Sequence, residues 1–294
     1  MRVLPLLVLM YSAAGAAQPL PEMLKARIAG FQGTVSLYAK NLETGATVGI
    51  RETDPVRTAS TIKLAIMAAV FNAVAHGQAK WTELLTVTPA EKVSGSGIIA
   101  SEISDGVQLP LRDVLHLMIV LSDNTATNMI LERFGADAVN AYLDQIGIKT
   151  TRALRKIRGD GNALKAPSGA SAAGKLPENQ KYGLGVSTPR DMVTILEKIE
   201  RGELVSPEAS KEMITVLKRC QDSTGIRRRI SDPVANKTGA LDALRSDVGI
   251  VYAKSGRVVM AITVDDMPKV DYSPNNAGSL LIADLARMLV DTLK

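Results

Sequence analysis

Three short stretches carry residue types that can do chemistry together. Ser60-Thr61-Ile62-Lys63 opens a strongly helical run. Residues i and i+3 share a helix face about one turn apart, so the lysine amine stands beside the serine hydroxyl. A neutral lysine there can take the serine proton and make the hydroxyl a nucleophile; a charged one only lowers its pKa. Serine at a helix N-terminus also lies where backbone N–H groups and the helix dipole favour developing negative charge. Alone, the motif has an ordinary reading, with Ser60 as an N-cap and Lys63 as a solvated helix residue.

Ser122-Asp123-Asn124 lies where two helical runs meet, and Lys237-Thr238-Gly239 lies on a predicted strand. Each alone reads as a helix cap or as an edge lysine beside a glycine bulge. A fixed tripeptide arises by chance in roughly one chain in twenty of this length. Both together, in this order behind a helix-opening Ser-x-x-Lys, are poorly explained by coincidence. The set is the signature of penicillin-recognising serine enzymes.

These motifs need elements to hold them. Leu20 to Gly30 reads as an amphipathic helix. The β-like runs Thr34–Asn41 and Ala46–Glu52 are joined by Leu42-Glu43-Thr44-Gly45, a hairpin signal. Helices are predicted over Thr58–Ala75, twice within Leu109–Phe134 with a break at Ser122–Thr125, and over Pro189–Glu203 and Pro207–Arg219. Strands return at Val234–Leu241, Asp247–Lys254 and Arg257–Asp265, and Ala277–Leu293 closes the chain as a helix. Strands at both ends with helices between imply an α+β fold whose single sheet is assembled from the two termini. Residues 18–57 and 220–294 would form the α/β part, and residues 58–219 a mainly helical subdomain. The crevice between them is the natural site. Residues 159–185, rich in Gly, Ala, Ser and Pro, break the pattern, and a loop that long is usually functional.

Composition excludes several other chemistries. Aromatic residues are 3% of the 294, too few for a sugar-stacking groove or a platform for single-stranded nucleic acid. One cysteine, Cys220, rules out an internal disulfide and a thiolate metal cage. The two histidines, His76 and His116, sit in apolar helix-like runs, which argues against a His-rich metal site or a Ser-His-Asp triad. No metal or other cofactor is expected. The net charge of +5 suits acidic partners without naming one. The basic clusters Arg152–Arg158 and Arg227–Arg229 are short and interspersed with apolar residues, so they read as solvated faces and no nucleic-acid partner is expected.

At the front, Arg2, the apolar run Val3–Tyr11 and the small residues Ala14-Gly15-Ala16 form a signal-peptide pattern over residues 1–17, with cleavage near Ala16 or Ala17. No later segment offers the ~20 uninterrupted apolar residues of a membrane span. The expected product is a free monomer in the periplasm or outside the cell, without a membrane anchor.

Over nearly all of its mature length the sequence resembles the class A β-lactamases and their penicillin-binding relatives. Besides the three motifs, the resemblance rests on Gly95-Ser96-Gly97 ahead of Leu111–Leu131, on Ser187–Met192 and on Arg245–Tyr252. It implies a five-stranded antiparallel sheet flanked by helices beside an all-helical domain. It implies Ser60 as the acylated nucleophile, Lys63 as its proton acceptor, and Ser122 as the relay to the leaving nitrogen, tuned by Lys237. Asn124 would hold Lys63 and the amide side chain of the substrate. Thr238 would bind the substrate carboxylate, with Arg245 adding positive charge, and Ser60 and Ala240, next to Gly239, would supply the oxyanion-hole N–H groups.

One family feature is missing. The family's Glu-x-x-x-Asn pattern, whose glutamate activates the deacylating water, does not occur between Arg152 and Pro189. The acids there are Asp160 and Glu178. Asp160 reads as a loop anchor paired with Arg155 or Arg158, and Glu178 as a base only if it folds back into the site. The alternatives are Lys63 serving both half-reactions, or an acyl-enzyme that stalls. The expected activity is β-lactam hydrolysis through acyl-Ser60, with a D-alanyl-D-alanine peptidase or a penicillin-binding sensor as the other readings.

Overall fold

The computed structural model describes residues 19–294; the signal-peptide expectation for residues 1–17 lies outside the described residues. Five antiparallel strands make the main sheet: β1 (Thr34–Asn41), β2 (Thr47–Ile50), β3 (Val234–Leu241), β4 (Leu244–Ala253) and β5 (Gly256–Asp265). Their order is β2-β1-β5-β4-β3, so the N-terminal hairpin and the C-terminal meander meet at the β1–β5 pair. The expected fold class is the observed one.

Both faces of this sheet are covered. Along β5, Val258, Met260, Ile262 and Val264 pack with Leu281, Leu285 and Leu289 of α8 (Ala277–Thr292) and Leu24 of α1 (Leu20–Ile28). The intervening Val259 and Ala261 face the opposite way, into the larger cluster that includes the central helices. Burial on both sides explains why Arg257–Asp265 reads as a nearly unbroken apolar run instead of an alternating one.

The larger cluster is built around α2 (Lys63–Ala75), apolar on all sides and enclosed by its neighbours. Around it lie α3 (Leu111–Val120), α4 (Asn124–Phe134), α5 (Ala136–Gln145) and α7 (Pro207–Lys218), while α6 (Pro189–Glu200) lies across β1 and β5. The last two helices start on side-chain caps followed by proline. Thr188 accepts from Asp191 N–H at 3.0 Å and Ser206 from Ala209 N–H at 3.1 Å. α5 has no counterpart among the sequence expectations; Gly135, at φ +79°, separates it from α4. Among the described residues no helix is long and apolar enough to cross a membrane.

The irregular segment is more ordered than its composition implies. Short strands Arg152–Ala153 and Gly185–Ser187 pair at its neck, with Arg152 opposite Val186 and Ala153 opposite Gly185. Short helical stretches at 161–163, 172–175 and 177–182 fill the interior. Lys156 ties the loop to the turn at Glu91, at 3.1 Å, and to α4 through Glu132. Asn128 clamps Ile157 from both sides, accepting its N–H at 2.8 Å and donating to its carbonyl at 2.9 Å.

Candidate active site

Ser60 sits on a tight turn, Ala59–Ile62, that leads directly into α2, so Lys63 occupies the first position of the buried helix. The sequence reading placed Ser60 at a helix start, and the turn is a 3₁₀ extension of that helix. Ala59, just before the serine, has φ +45°, and Ser122 has φ +55°. Non-glycine residues in this left-handed region are held there by their surroundings. At Ser122 the hold is visible. Asp123 caps α4 by accepting from Ala126 N–H at 2.8 Å, and it also accepts from Ile98 at 2.7 Å and Ile99 at 2.9 Å. Gly97 must be glycine for this packing, because a Cβ there would lie 2.3 Å from Asp123 Cγ.

The two lysines are fully buried and meet at Ser122. Lys63 Nζ donates to Ser122 O at 2.7 Å and Asn124 Oδ1 at 3.0 Å, and stands 3.2 Å from Ser122 Oγ. Lys237 Nζ donates to Ser122 Oγ at 2.9 Å and to Thr238 O at 2.8 Å. None of these partners is a carboxylate. Burial, reinforced by the charge on Lys237 and opposed by Asp123, holds Lys63 well below the usual lysine range. Lys237 is lowered as well, by burial. A neutral Lys63 has two N–H donors for the two carbonyl oxygens and one lone pair left over. That lone pair is what a proton acceptor needs. No hydrogen bond joins Ser60 Oγ to Lys63 Nζ among the described residues; such contacts commonly tighten only when substrate is bound.

β3 brings the third motif against the serine. A Cβ on Gly239 would lie 3.0 Å from Ser60 N and 2.8 Å from Thr58 O, so the bare backbone of Gly239 is what lets β3 approach. The Ser60 and Ala240 N–H groups flank this contact. Gly239→Ala is therefore expected to push β3 outward and lower acylation of Ser60 by about 10²-fold, the cost of one oxyanion donor if the Ser60 and Ala240 N–H groups hold the oxyanion. Acylation rates compared at equal thermal stability check this.

Ser60, Ser122, Asn124, Thr238, Gly239 and Ala240 line one cavity of about 540 Å³. A side compartment of about 290 Å³ shares Thr238, Gly239 and Ala240 and adds Arg245. Arg245 is buried; its Nη1 donates to Leu241 O and Leu244 O, each at 2.6 Å, and its Nη2 to Asp271 O. The guanidinium carbon lies 4.8 Å from the centre of the Tyr272 ring.

Two sequence expectations are corrected here. Glu178 stands exposed on the turn 177–182 and is not among the cavity-lining residues, because the proline-led turn carries it outward. Asp160 makes no ion pair with Arg155 or Arg158. Its backbone is tied instead to Ser94, whose Oγ accepts from Asp160 N–H at 2.9 Å, and the residue lines the cavity while remaining exposed. The wall that this loop gives the cavity includes Arg155, Ile157, Arg158, Gly159 and Asp160, with Leu164 and Lys181–Leu184 further along, none singled out as a site residue from sequence. The pairing of Gly95-Ser96-Gly97 with Ser122–Asn124 was the available signal for this wall, since Gly95 packs against both Asn124 and Asp160.

Behind the site, Asp247 on β4 lies opposite Thr238 and is fully enclosed. Burial pushes its carboxyl up to about 7, against hydrogen bonds from Asn236 Nδ2 and Ile226 N–H. Its folded pKa exceeds the unfolded one, so the folded state holds this proton more tightly. The contribution of Asp247 to stability is therefore largest below about pH 4, falls as pH rises to about 7, and is flat above. Tm measured across that range in the protein and in Asp247→Asn should show the decline flattened in the variant.

A serine, a buried lysine held below its usual range, a second serine hydroxyl between two lysines and a close-packed glycine strand gather at one cavity of an α+β scaffold. The family model described as Beta-lactamase enzyme family matches residues 19–293, and the chain belongs to that family. A β-lactamase structure from Sphaerobacter thermophilus superposes with TM-score 0.79 at 28% identity, covering 93% of this chain and 96% of that one. A leucine-to-glutamate variant of PBP-A, solved as its acyl-enzyme with penicillin G, superposes with TM-score 0.78 at 28% identity, covering 92% and 95%. The β-lactamase regulatory protein BlaB of Streptomyces cacaoi is 23% identical over 89% of this chain and 93% of its own length.

Proposed function

We propose that the protein opens β-lactam rings through an ester on Ser60, with the residues of the three motifs in the following roles. Neutral Lys63 Nζ takes the Ser60 proton as Oγ attacks the lactam carbonyl. The Ser60 and Ala240 N–H groups hold the resulting oxyanion. As the C–N bond breaks, Ser122 Oγ passes its proton to the departing nitrogen and recovers one from Lys63, which ends neutral again. Lys237, donating to Ser122 Oγ, steadies that hydroxyl while it is short of a proton. Thr238 binds the ring carboxylate, with Arg245 adding positive charge behind it, and Asn124 receives the acylamino group. The observation that carries this reading is the chain Lys237–Ser122–Lys63, with contacts of 2.9 and 3.2 Å. Export to the periplasm or medium rests on the pattern of residues 1–17 alone.

Deacylation is proposed to be slow. Of the two acids in the loop, Glu178 stands outside the cavity and Asp160 lines it while remaining exposed. Loss of a general base commonly costs 10²–10⁴ in rate. Intact-protein mass after mixing with benzylpenicillin tests both halves. A Ser60-dependent adduct that outlasts mixing by minutes supports the reading, and Ser60→Ala should form none. Absence of any adduct on the unaltered protein would overturn it. A second reading, a D-alanyl-D-alanine peptidase, is favoured by the same poverty of carboxylates and by the likeness to PBP-A. Release of D-alanine from a D-alanyl-D-alanine peptide, faster than penicillin turnover, would select it.

A further inference from the structure

The loop wall of the cavity carries positive charge that no carboxylate among the described residues neutralises. Arg155, half-buried, has one hydrogen bond, from Nη1 to Lys156 O at 3.3 Å. Arg158 donates from Nε to Lys165 O at 2.7 Å. Lys181 lies over the Tyr182 ring with Nζ 5.0 Å from its centre. All three line the 540 Å³ cavity, and none has a carboxylate partner among the described residues. The fourth cation of that lining, Arg57, is by contrast closed off by Asp265, with Nε–Oδ2 at 2.9 Å. Asp160, the wall's own carboxylate, is exposed and forms no ion pair among the described residues. Burial and the neighbouring charge of Arg158 lower the pKa of Arg155, the mark of cations gathered against their own repulsion. Half-buried like charges of this kind are costly unless a ligand supplies the opposite sign.

The direction of the cavity says which part of the ligand that is. On the reading above, the ring carboxylate lies toward Thr238 and Arg245, so the acylamino group leaves Ser60 on the other side, past Asn124. A methyl on Gly95 would sit 2.7 Å from Asn124 Nδ2 and 3.5 Å from Asp160 Oδ2, which puts Asn124 beside the start of this wall. We infer that Arg155, Arg158 and Lys181 form an anion subsite for the acyl side chain, and that preferred acyl donors carry a second carboxylate there. The inference rests on the Ser60 acylation reading and adds the substrate class to it. The same chemistry comes from a β-lactam with a carboxylated side chain or from a peptide with an acidic residue before its D-alanyl-D-alanine end.

Matched pairs test it on the mature protein. Acylation efficiency is measured for benzylpenicillin and α-carboxybenzylpenicillin, and release of D-alanine for N-butanoyl- and N-glutaryl-D-alanyl-D-alanine. The dianionic member is expected to be preferred about 10-fold at low salt, with the preference falling in 0.5 M salt as the charges are screened. Lys181→Gln and Arg158→Gln should each reduce the ratio about 3-fold; Lys181 is exposed, so its variant is not a folding risk. A preference in the penicillin pair alone points to the β-lactam source, and in the peptide pair alone to the peptide source. A ratio near one in both pairs, or a ratio untouched by both variants, overturns the subsite while leaving acylation standing. Failure of all four compounds to react at Ser60 overturns the acylation reading itself.

Discussion

Replacing Lys63 by methionine is expected to slow acylation of Ser60 by about 10³-fold, within the range of a lost general base. Methionine fills nearly the same volume and removes only the amine, so loss of packing contributes little to the result. What it leaves behind is Ser122 O and Asn124 Oδ1 without their 2.7 and 3.0 Å donors. That costs stability, on the order of 1–3 kcal/mol for a buried unpaired group. Relief of a buried amine without a carboxylate partner offsets part of it. Adduct formation should therefore collapse while the thermal transition moves by a few degrees. An adduct formed at the original rate by Lys63→Met would remove Lys63 from the proton path.

The same lysine sets the pH dependence. On the proposed path Lys63 works in its neutral form, and its pKa is held well below the usual value, so acylation should rise as pH increases through that lowered value. At higher pH the lowered Lys237 loses its own proton, and with it the charge that the proposed path uses to steady Ser122. A bell results, whose two apparent pKa values belong to the coupled pair and not to either residue alone. A profile of acylation efficiency that rises only above pH 10 would mean that Lys63 is charged in the working site.

The motifs were legible because chemistry fixes both their residue types and their setting. Ser60, Lys63, Ser122, Asn124 and Lys237 converge in space although Lys237 lies 115 residues from Ser122. The sheet was legible for a related reason: strands covered on both faces leave long apolar runs, as in Arg257–Asp265. The loop was not. Its neck is two short strands whose pairing depends on partners about 30 residues away, and its shape depends on Lys156 finding Glu91 and Glu132. Spacing along the chain carries no trace of such contacts. Glu178 illustrates the cost, since proximity in sequence suggested a base that the turn 177–182 points away. The arginines at 155 and 158 looked like a solvated face until the cavity gave them something to face.

Introducing Glu at position 157 is expected to shorten the life of the acyl-enzyme by about 10²-fold, the lower end of what a general base supplies. Ile157 lines the same cavity as Ser60, and Asn128 fixes its backbone through bonds of 2.8 and 2.9 Å, so the new side chain starts from a rigid place. Arg155 and Arg158 flank it and compensate the charge that a half-buried carboxylate brings. They also favour its ionised form, the one that can accept a proton from water. Time-resolved mass after removal of free benzylpenicillin measures the lifetime directly, and an adduct in Ile157→Glu as durable as the original would mean that no water reaches the ester from this wall. The variant has a second consequence. A carboxylate at residue 157 occupies the anion subsite from within, so the preference for the α-carboxylated penicillin should fall as turnover rises. The two effects come from one charge placed between the same two arginines. Faster turnover with an undiminished preference would separate the water-activating wall from the side-chain subsite.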